Sequence, residues 1–107
     1  MSVTFESRRL YVAPRKSVLF FARRGDQRVR CYVKEDALVD LGRGLREEAD
    51  LYQRCLLAFD EHRAAIESAA VRLIEAGVHK SDGAVVVSKT ALALEIEPPL
   101  AALNTDR

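Results

Sequence analysis

The sequence predicts a small α+β fold, in which an antiparallel sheet made of a β-hairpin and a later strand packs on one long amphipathic helix and a short helix. Two β-rich runs flank the dipeptide Gly25-Asp26, residues 47–77 repeat apolar side chains at helical spacing, and the β-branched run Val85-Val86-Val87 follows. A chain of 107 residues with 49% hydrophobic residues is long enough to fold without disulfides or metals. We expect a single domain over residues 1–97.

The hairpin is the element whose register is best defined. The run Val18 to Ala22 is apolar, and Arg28 to Val33 alternates polar or aromatic residues with small apolar ones. If Gly25 and Asp26 form a two-residue turn, alternate residues of both strands share one buried face. The pairs on that face are Ala22 with Val29, Phe20 with Cys31, and Val18 with Val33.

Short elements are predicted on both sides of the hairpin. Upstream, Val3 to Phe5 is predicted as a further short strand, and Leu10 to Val12 as apolar cover before Pro14. Downstream, Lys34 to Leu41 has acids early and apolar residues at helical spacing, which indicates a short helix that Gly42 ends.

The strongest pattern begins near Glu47 and stops at Gly77. At 100° per residue its apolar side chains fall in one sector that stays in phase, which favours one continuous helix of about 45 Å. Such a helix exceeds the width of a domain of this size, so either an end projects or a second subunit covers it. The stripe consists of Leu51, Tyr52, Cys55, Leu56, Phe59, Ile66, Ala69, Ala70, Leu73 and Ile74.

The C-terminal part begins with a turn at Asp82-Gly83, after which Ala84 to Ser88 is predicted to return to the sheet as a strand. Residues 91–97 alternate like a strand, but Ser88 or Thr90 could instead cap a short helix, and both interpretations stay open. Pro98-Pro99 ends regular structure, and residues 98–107 are predicted to form a mobile tail.

These residues resemble the small bacterial family catalogued as domain of unknown function 1488. The resemblance covers about residues 3–90 and implies a small α+β fold with a short sheet on helices and no established activity. It is carried by Val18-Leu19-Phe20-Phe21-Ala22, Gly25, Val29-Arg30-Cys31-Tyr32-Val33, Ala37-Leu38, Phe59, Arg63, Ile66-Glu67, Ala70, Gly77, Asp82-Gly83 and Val85-Val86-Val87.

The reverse face of the hairpin is the candidate binding surface. Its side chains mix rings with cations, as single-stranded nucleic-acid binders do, because bases stack on aromatic rings and guanidinium groups while cations neutralise phosphates. The alternative is that a terminal segment or another subunit covers the apolar residues while the arginines pair with helix acids. The candidate residues are Phe21, Arg23, Arg28, Arg30 and Tyr32 beside Leu19, and Arg8, Arg9, Arg15 and Lys16 could extend a basic strip.

Other features exclude several function classes. Cys31 and Cys55 are predicted to be reduced, buried thiols, and together with His62 and His79 they lack the spacing of metal ligands. His62 falls in the apolar stripe as a packed residue, and no catalytic constellation accompanies it. We therefore expect no metal, no cofactor and no catalytic residue. An apolar run of membrane length and a secretory signal are both missing from the sequence, so we expect a cytoplasmic protein.

The charge distribution is uneven, since residues 1–34 carry nine Lys and Arg against two acids, whereas residues 35–107 carry eight against fourteen. The first third is therefore +7 and the remainder −6, which indicates either an anionic partner or attraction between two parts of the fold. The first functional hypothesis is a non-enzymatic module that forms a homodimer or binds another protein. The second is a single-stranded nucleic-acid-binding accessory protein.

Overall fold

The computed structural model describes residues 2–41 and 50–96. The α+β prediction is confirmed: within these residues four strands form one sheet, and four α-helices accompany it. In chain order the elements are β1 (Val3–Val12), a 3-10 turn (Ala13–Arg15), β2 (Ser17–Arg24), β3 (Gln27–Lys34), α1 (Glu35–Leu41), α2 (Leu51–Glu61), α3 (Arg63–Glu75), β4 (Val85–Val87) and α4 (Lys89–Ile96).

The strands lie in the order β1-β2-β3-β4. The first three are antiparallel neighbours, as expected of strands joined by short turns, whereas β4 runs parallel to β3. A parallel pair needs a long crossover, and here the chain passes through α1, α2 and α3 before it returns. The sheet is therefore mostly antiparallel but mixed.

The predicted hairpin register is confirmed. Ala22 pairs with Val29, Phe20 with Cys31, and Val18 with Val33, and Gly25 in the turn has the positive φ of 63° that a primed two-residue turn requires. Because side chains alternate along each strand, these six residues face the helices while their neighbours face the other way.

Strand β1 is longer than the predicted segment Val3 to Phe5. It pairs with β2 from Val3 to Val12, with an irregularity between Phe5 and Arg9 that behaves as a β-bulge. Arg63 of α3 donates hydrogen bonds to the carbonyl oxygens of Glu6 at 3.4 Å and of Ser7 at 2.8 Å, and so satisfies backbone groups that the bulge leaves unpaired. The bulge interrupts the alternation of side chains along β1. This is why the sequence predicted two separate segments, Val3 to Phe5 and Leu10 to Val12, instead of one strand.

The prediction of one continuous helix is wrong. His62 has φ −113° and ψ 24°, so it ends α2 and precedes α3. The helical hydrogen bonds from His62 N to Ala58 O and from Ile66 N to His62 O persist at 3.0 Å each, so the break inserts no extra residue between the two helices. The apolar stripe therefore stays in phase across a break that periodicity cannot detect.

The described helix α2 begins after Asp50, whose side chain accepts a hydrogen bond from Gln53 N at 2.9 Å as an N-cap. The predicted start at Glu47 and the predicted stop of the first helix at Gly42 lie outside the described residues. Helix α3 ends as predicted at Gly77, where φ is 74° and the amides of Gly77 and Val78 close a Schellman motif.

The segment after β4 is a helix, which decides between the two interpretations of residues 91–97 as far as Ile96. The Ser88 hydroxyl accepts a hydrogen bond from Ala91 N at 3.2 Å and so acts as the N-cap of α4. The guanidinium of Arg72 holds α4 against α3 through Glu95 at 2.5 Å and the carbonyl of Ala91 at 3.0 Å. Residue 97 and the predicted tail over 98–107 lie outside the described residues.

The core lies between the helices and one face of the sheet. Its largest fully buried side chains include Phe20, Phe59, Leu38 and Ile66, and Phe20 lies with its ring centroid 5.2 Å from that of Phe59. Both thiols are free and buried in this layer, as predicted. Burial raises the pKa of Cys31 to about 12, and burial followed by the nearby Glu35 carboxylate raises the pKa of Cys55 to about 11.

Candidate interaction surface

The sheet has a second face, turned away from the helices, that we call the outer face. Its strand residues alternate with those of the core, and none of them belongs to the core cluster of buried and adjoining side chains. The outer face consists of Thr4, Glu6, Leu10, Val12, Ser17, Leu19, Phe21, Arg23, Arg28, Arg30, Tyr32, Lys34 and Val86, with Arg15 and Asp82 folded over it from the neighbouring loops.

An apolar row crosses the outer face. Leu10 pairs with Leu19, Leu19 with Tyr32, and Tyr32 with Val86, so one residue from each strand contributes. Leu10 is 39% exposed, and Leu19 and Val86 are half-buried. Since strands lie about 4.8 Å apart, the row extends about 14 Å across the sheet.

Two guanidinium groups cover the aromatic rings of this face. The Arg28 guanidinium carbon lies 3.8 Å from the Phe21 ring centroid, and that of Arg15 lies 4.1 Å from the Tyr32 ring centroid. Phe21 is consequently only 8% exposed and Tyr32 only 5% exposed, although both lie outside the core cluster. Each contact combines the attraction of a cation for a ring face with packing of the aliphatic stem.

Carboxylates from outside the helices pair with the arginines. Glu6 accepts two hydrogen bonds from Arg28 at 2.9 Å each, and Arg23 approaches the same carboxylate at 3.4 Å. The Arg28 hydrogen bond is the main reason why the pKa of Glu6 is lowered. Arg30 lies 3.5 Å from Asp82, whose pKa is lowered first by the amide of Ala84 and then by Arg30.

Comparison with known proteins gives a family without an assigned function. The family described as Protein of unknown function (DUF1488) matches residues 3–87. The chain belongs to this family. A crystal structure of a DUF1488 protein of unknown function from Shewanella loihica PV-4 is similar, with a TM-score of 0.71 and 23% identity over 80% of this chain and 91% of that one. This likeness concerns the fold, and no match was found among curated proteins.

The DUF1488 match ends at Val87, so α4 follows the matched region. The hairpin, the bulged strand β1 and the strand β4 all lie within that region. The sheet that carries the outer face is therefore part of the family fold.

The five predicted candidate residues lie together on the outer face. The expectation that helix acids neutralise the arginines is wrong for Arg23, Arg28 and Arg30, since Glu6 lies in β1 and Asp82 in the loop before β4. It holds for Arg9, which pairs with Phe20 on the helix side of the sheet and contacts Asp60 of α2 at 2.7 Å, so Arg9 does not extend the basic strip of the outer face. The covering role of Arg15 could not be found from spacing, because a left-handed residue, Lys16 with φ 48°, sets how the chain turns after the 3-10 helix. The pairing of Glu6 with these arginines could not be predicted either, because the bulge interrupts the alternation of side chains along β1.

The described His, Cys, Asp and Glu side chains do not form a metal site elsewhere in the fold. Within residues 2–41 and 50–96, no three His, Cys, Asp or Glu side chains lie close enough together to hold a metal ion. His62 is half-buried at the α2–α3 break, and His79 is exposed with Nδ1 2.8 Å from the carbonyl oxygen of Lys80. In the same part of the chain, no helix has the length and apolar character needed to cross a bilayer.

Proposed function

We propose that this protein is a non-enzymatic interaction module that self-associates, with the outer face of one copy packed against the helical layer of a second. The observation that carries the proposal is the apolar row Leu10-Leu19-Tyr32-Val86, which lies on the sheet face away from the core. Apolar surface rimmed by polar groups is characteristic of protein contacts.

Charge favours contact between two different surfaces over contact between two copies of the outer face. The outer face has five cations and two carboxylates. Packing two outer faces together would oppose cations to cations, and such repulsion is costly where water is excluded. A symmetric contact between two copies of this face is therefore disfavoured. The cations are Arg15, Arg23, Arg28, Arg30 and Lys34.

The helical layer supplies the complementary chemistry. Val39, Leu57 and Leu94 are exposed at 37%, 42% and 55%, and the exposed carboxylates of Asp36 and Glu61 lie on the same helices as the first two. Residues 35–107 carry the acidic excess of the chain, with fourteen acids against eight Lys and Arg. An outer face docked on this layer makes a heterologous contact, which builds a ring or a filament rather than a closed two-fold dimer.

Sedimentation equilibrium tests this proposal over a range of protein concentrations. We expect the average mass to rise above 12.0 kDa with concentration at low salt and to fall again at about 0.5 M salt, because screening weakens the contact. Leu10→Gln should abolish association by placing an amide in the apolar row. Val78→Gln is the matched control, since Val78 is an exposed valine outside that row.

Two results would overturn the proposal. One is a mass of 12.0 kDa at every concentration in low salt. The other is association that strengthens as salt rises, because that would show an apolar contact without the charge complementarity proposed here.

Single-stranded nucleic acid is the second candidate partner. The exposed guanidinium groups of Arg23, Arg28 and Arg30 lie on one sheet face, and guanidinium planes stack on bases while neutralising phosphates. Phe21 and Tyr32 are covered by arginines, so bases would stack on those arginines rather than on the rings.

Fluorescence anisotropy of a labelled single-stranded oligonucleotide tests this alternative. Binding through the outer face should weaken steeply with salt and be lost in Arg28→Ala/Arg30→Ala. The helix-side pair Arg24→Ala/Arg54→Ala removes the same charge and is the control. No binding at low salt would exclude nucleic acid as the ligand of this face.

A further inference from the structure

A cavity of about 300 Å³ lies at the opposite side of the sheet from the outer face, where the hairpin turn meets the end of α3 and the start of β4. Arg24 and Gln27, which pair with each other at the end of the hairpin, supply polar groups to its lining. Val29, Ile74 and Val85 supply apolar ones. A volume of this size is at the lower limit for small-molecule sites, so it admits a small organic molecule and excludes a dinucleotide.

Arg24, an exposed residue, brings a guanidinium with unused hydrogen-bonding capacity to this cavity. Its Nη1 donates a long hydrogen bond of 3.4 Å to the carbonyl oxygen of Ile74, which holds the guanidinium at the end of α3. No carboxylate in the described ranges 2–41 and 50–96 forms an ion pair with it, whereas the neighbouring Arg23 approaches Glu6 at 3.4 Å. A guanidinium has five N–H donors in a planar fork that fits a carboxylate, so Arg24 retains donors for an anionic ligand.

The rest of the lining limits what kind of anion fits. Ile74 and Val85 are buried and Val29 is half-buried, so part of the wall is aliphatic. The Gln27 side chain can donate a second hydrogen bond through its amide. An inorganic anion would leave the aliphatic wall in contact with water, while an aliphatic tail would cover it.

We infer that this cavity binds a small aliphatic carboxylate, with the carboxylate on Arg24 and Gln27 and the aliphatic part against Val29, Ile74 and Val85. The site is separate from the outer face, because Arg24 and Val29 lie on the helix side of β2 and β3. Its occupation does not depend on the proposed self-association.

Titration with butyrate, followed in ¹H–¹⁵N NMR spectra, tests this inference. We expect saturable shifts of the amide signals of Gly77, His79 and Gly83, which line the cavity. Arg24→Gln should weaken binding about tenfold or more, because it removes a charge-assisted hydrogen-bonding fork. Arg23→Gln is the matched control, since it removes the same charge from the adjacent residue on the outer face and should leave the dissociation constant unchanged.

Two further titrations test the aliphatic tail and the charge of the ligand separately. Butanol keeps the aliphatic tail without the charge, and inorganic phosphate keeps a charge without the tail, so both should bind more weakly than butyrate. Gln27→Ala, at an exposed position at the start of β3, should also weaken binding and provides a second variant if Arg24→Gln disturbs folding.

Three results would overturn the inference. The first is the absence of saturable shifts up to about 50 mM butyrate, well above the millimolar range. The second is unchanged butyrate binding in both Arg24→Gln and Gln27→Ala. The third is butanol or phosphate binding as tightly as butyrate, because the cavity would then recognise only one half of the proposed ligand.

Discussion

The two faces of the sheet bury neighbouring phenylalanines by different means. Phe20, on the helix side, is 1% exposed and lies between Phe59 and Phe5, with ring centroids 5.2 Å and 6.0 Å away. Phe21, the next residue, is 8% exposed and lies under the guanidinium of Arg28. One ring packs against other aromatic rings from separate elements, and the other has a long, half-exposed cationic side chain of the adjacent strand over its face.

This difference teaches that low exposure alone does not define a core. Removing water from Phe20 requires the helices to be docked, whereas the cover that Arg28 gives to Phe21 depends on the rotamer of that arginine. A side chain that is half exposed, as Arg28 is at 44%, can move aside without unfolding the sheet. The outer face can therefore expose or cover its rings locally, while the helix side changes only with the whole fold.

Truncation of the two phenylalanines should give the largest difference between the faces. Phe20→Ala should lower the free energy of unfolding by about 3–5 kcal/mol, because it leaves a cavity between packed rings. Phe21→Ala should cost about half as much, since the Arg28 stem can settle into the space. Urea unfolding measures both, and equal losses would show that the outer face is packed as rigidly as the core.

Alkaline pH should destabilise the helix side through its thiols. Cys31 and Cys55 have pKa values raised to about 12 and about 11, against about 8.5 in an unfolded chain. The unfolded state therefore loses these protons first, and stability that is complete below about pH 8.5 falls by up to about 1.4 kcal/mol per pH unit for each thiol as pH rises.

Urea unfolding in a reducing buffer between about pH 8.5 and 10 measures this slope below the ordinary pKa of tyrosine. Cys31→Ala and Cys55→Ala should each flatten it, because alanine preserves a small apolar side chain without a proton to lose. A slope that neither variant changes would contradict the assignment to these thiols.

The smallest expected effect concerns the charge over Phe21. Arg28→Met keeps an unbranched apolar stem over the ring but removes the cation, so about 0.5–1 kcal/mol of stability should be lost with the cation–π contact. The pKa of Glu6 should rise toward its ordinary value, since the Arg28 hydrogen bond is the main cause of its lowering. NMR titration of the Glu6 carboxylate measures this.

Arg23→Met is the control for that variant. Arg23 approaches the same carboxylate at 3.4 Å, and its charge is a lesser cause of the lowered pKa. It should therefore raise the pKa of Glu6 less than Arg28→Met does. The reverse order would show that the bidentate contact with Arg28 is not maintained in solution.

The sequence was sufficient to predict the hairpin because its determinants are local. A two-residue turn at Gly25-Asp26 fixes the register, and a period of two then assigns every residue of β2 and β3 to a face. The same reasoning placed the five candidate residues on the outer face. Periodicity did not predict the break between α2 and α3. The break lies in the backbone dihedrals of a single residue, His62, and it leaves the apolar stripe in phase.

Elements that depend on distant partners were not predictable from periodicity. Strand β1 is extended through its bulge by pairing with β2 and by Arg63 from α3, which lies 56 and 57 positions away from Ser7 and Glu6. The direction of β4 relative to β3 depends on the path of the intervening helices. Tertiary contacts, rather than local propensity, decide both.

The contact of Arg63 with the bulge has a consequence for aggregation. Strand β1 has ten residues and forms one edge of the sheet, and a long unpaired edge is a template for adding strands from other molecules. The bulge interrupts that template near its middle, where Arg63 occupies the carbonyl oxygens of Glu6 and Ser7. An edge with a bulge and two occupied acceptors is a poorer template for an added strand than a regular one, so the guanidinium that supports the bulge also disfavours edge-to-edge pairing.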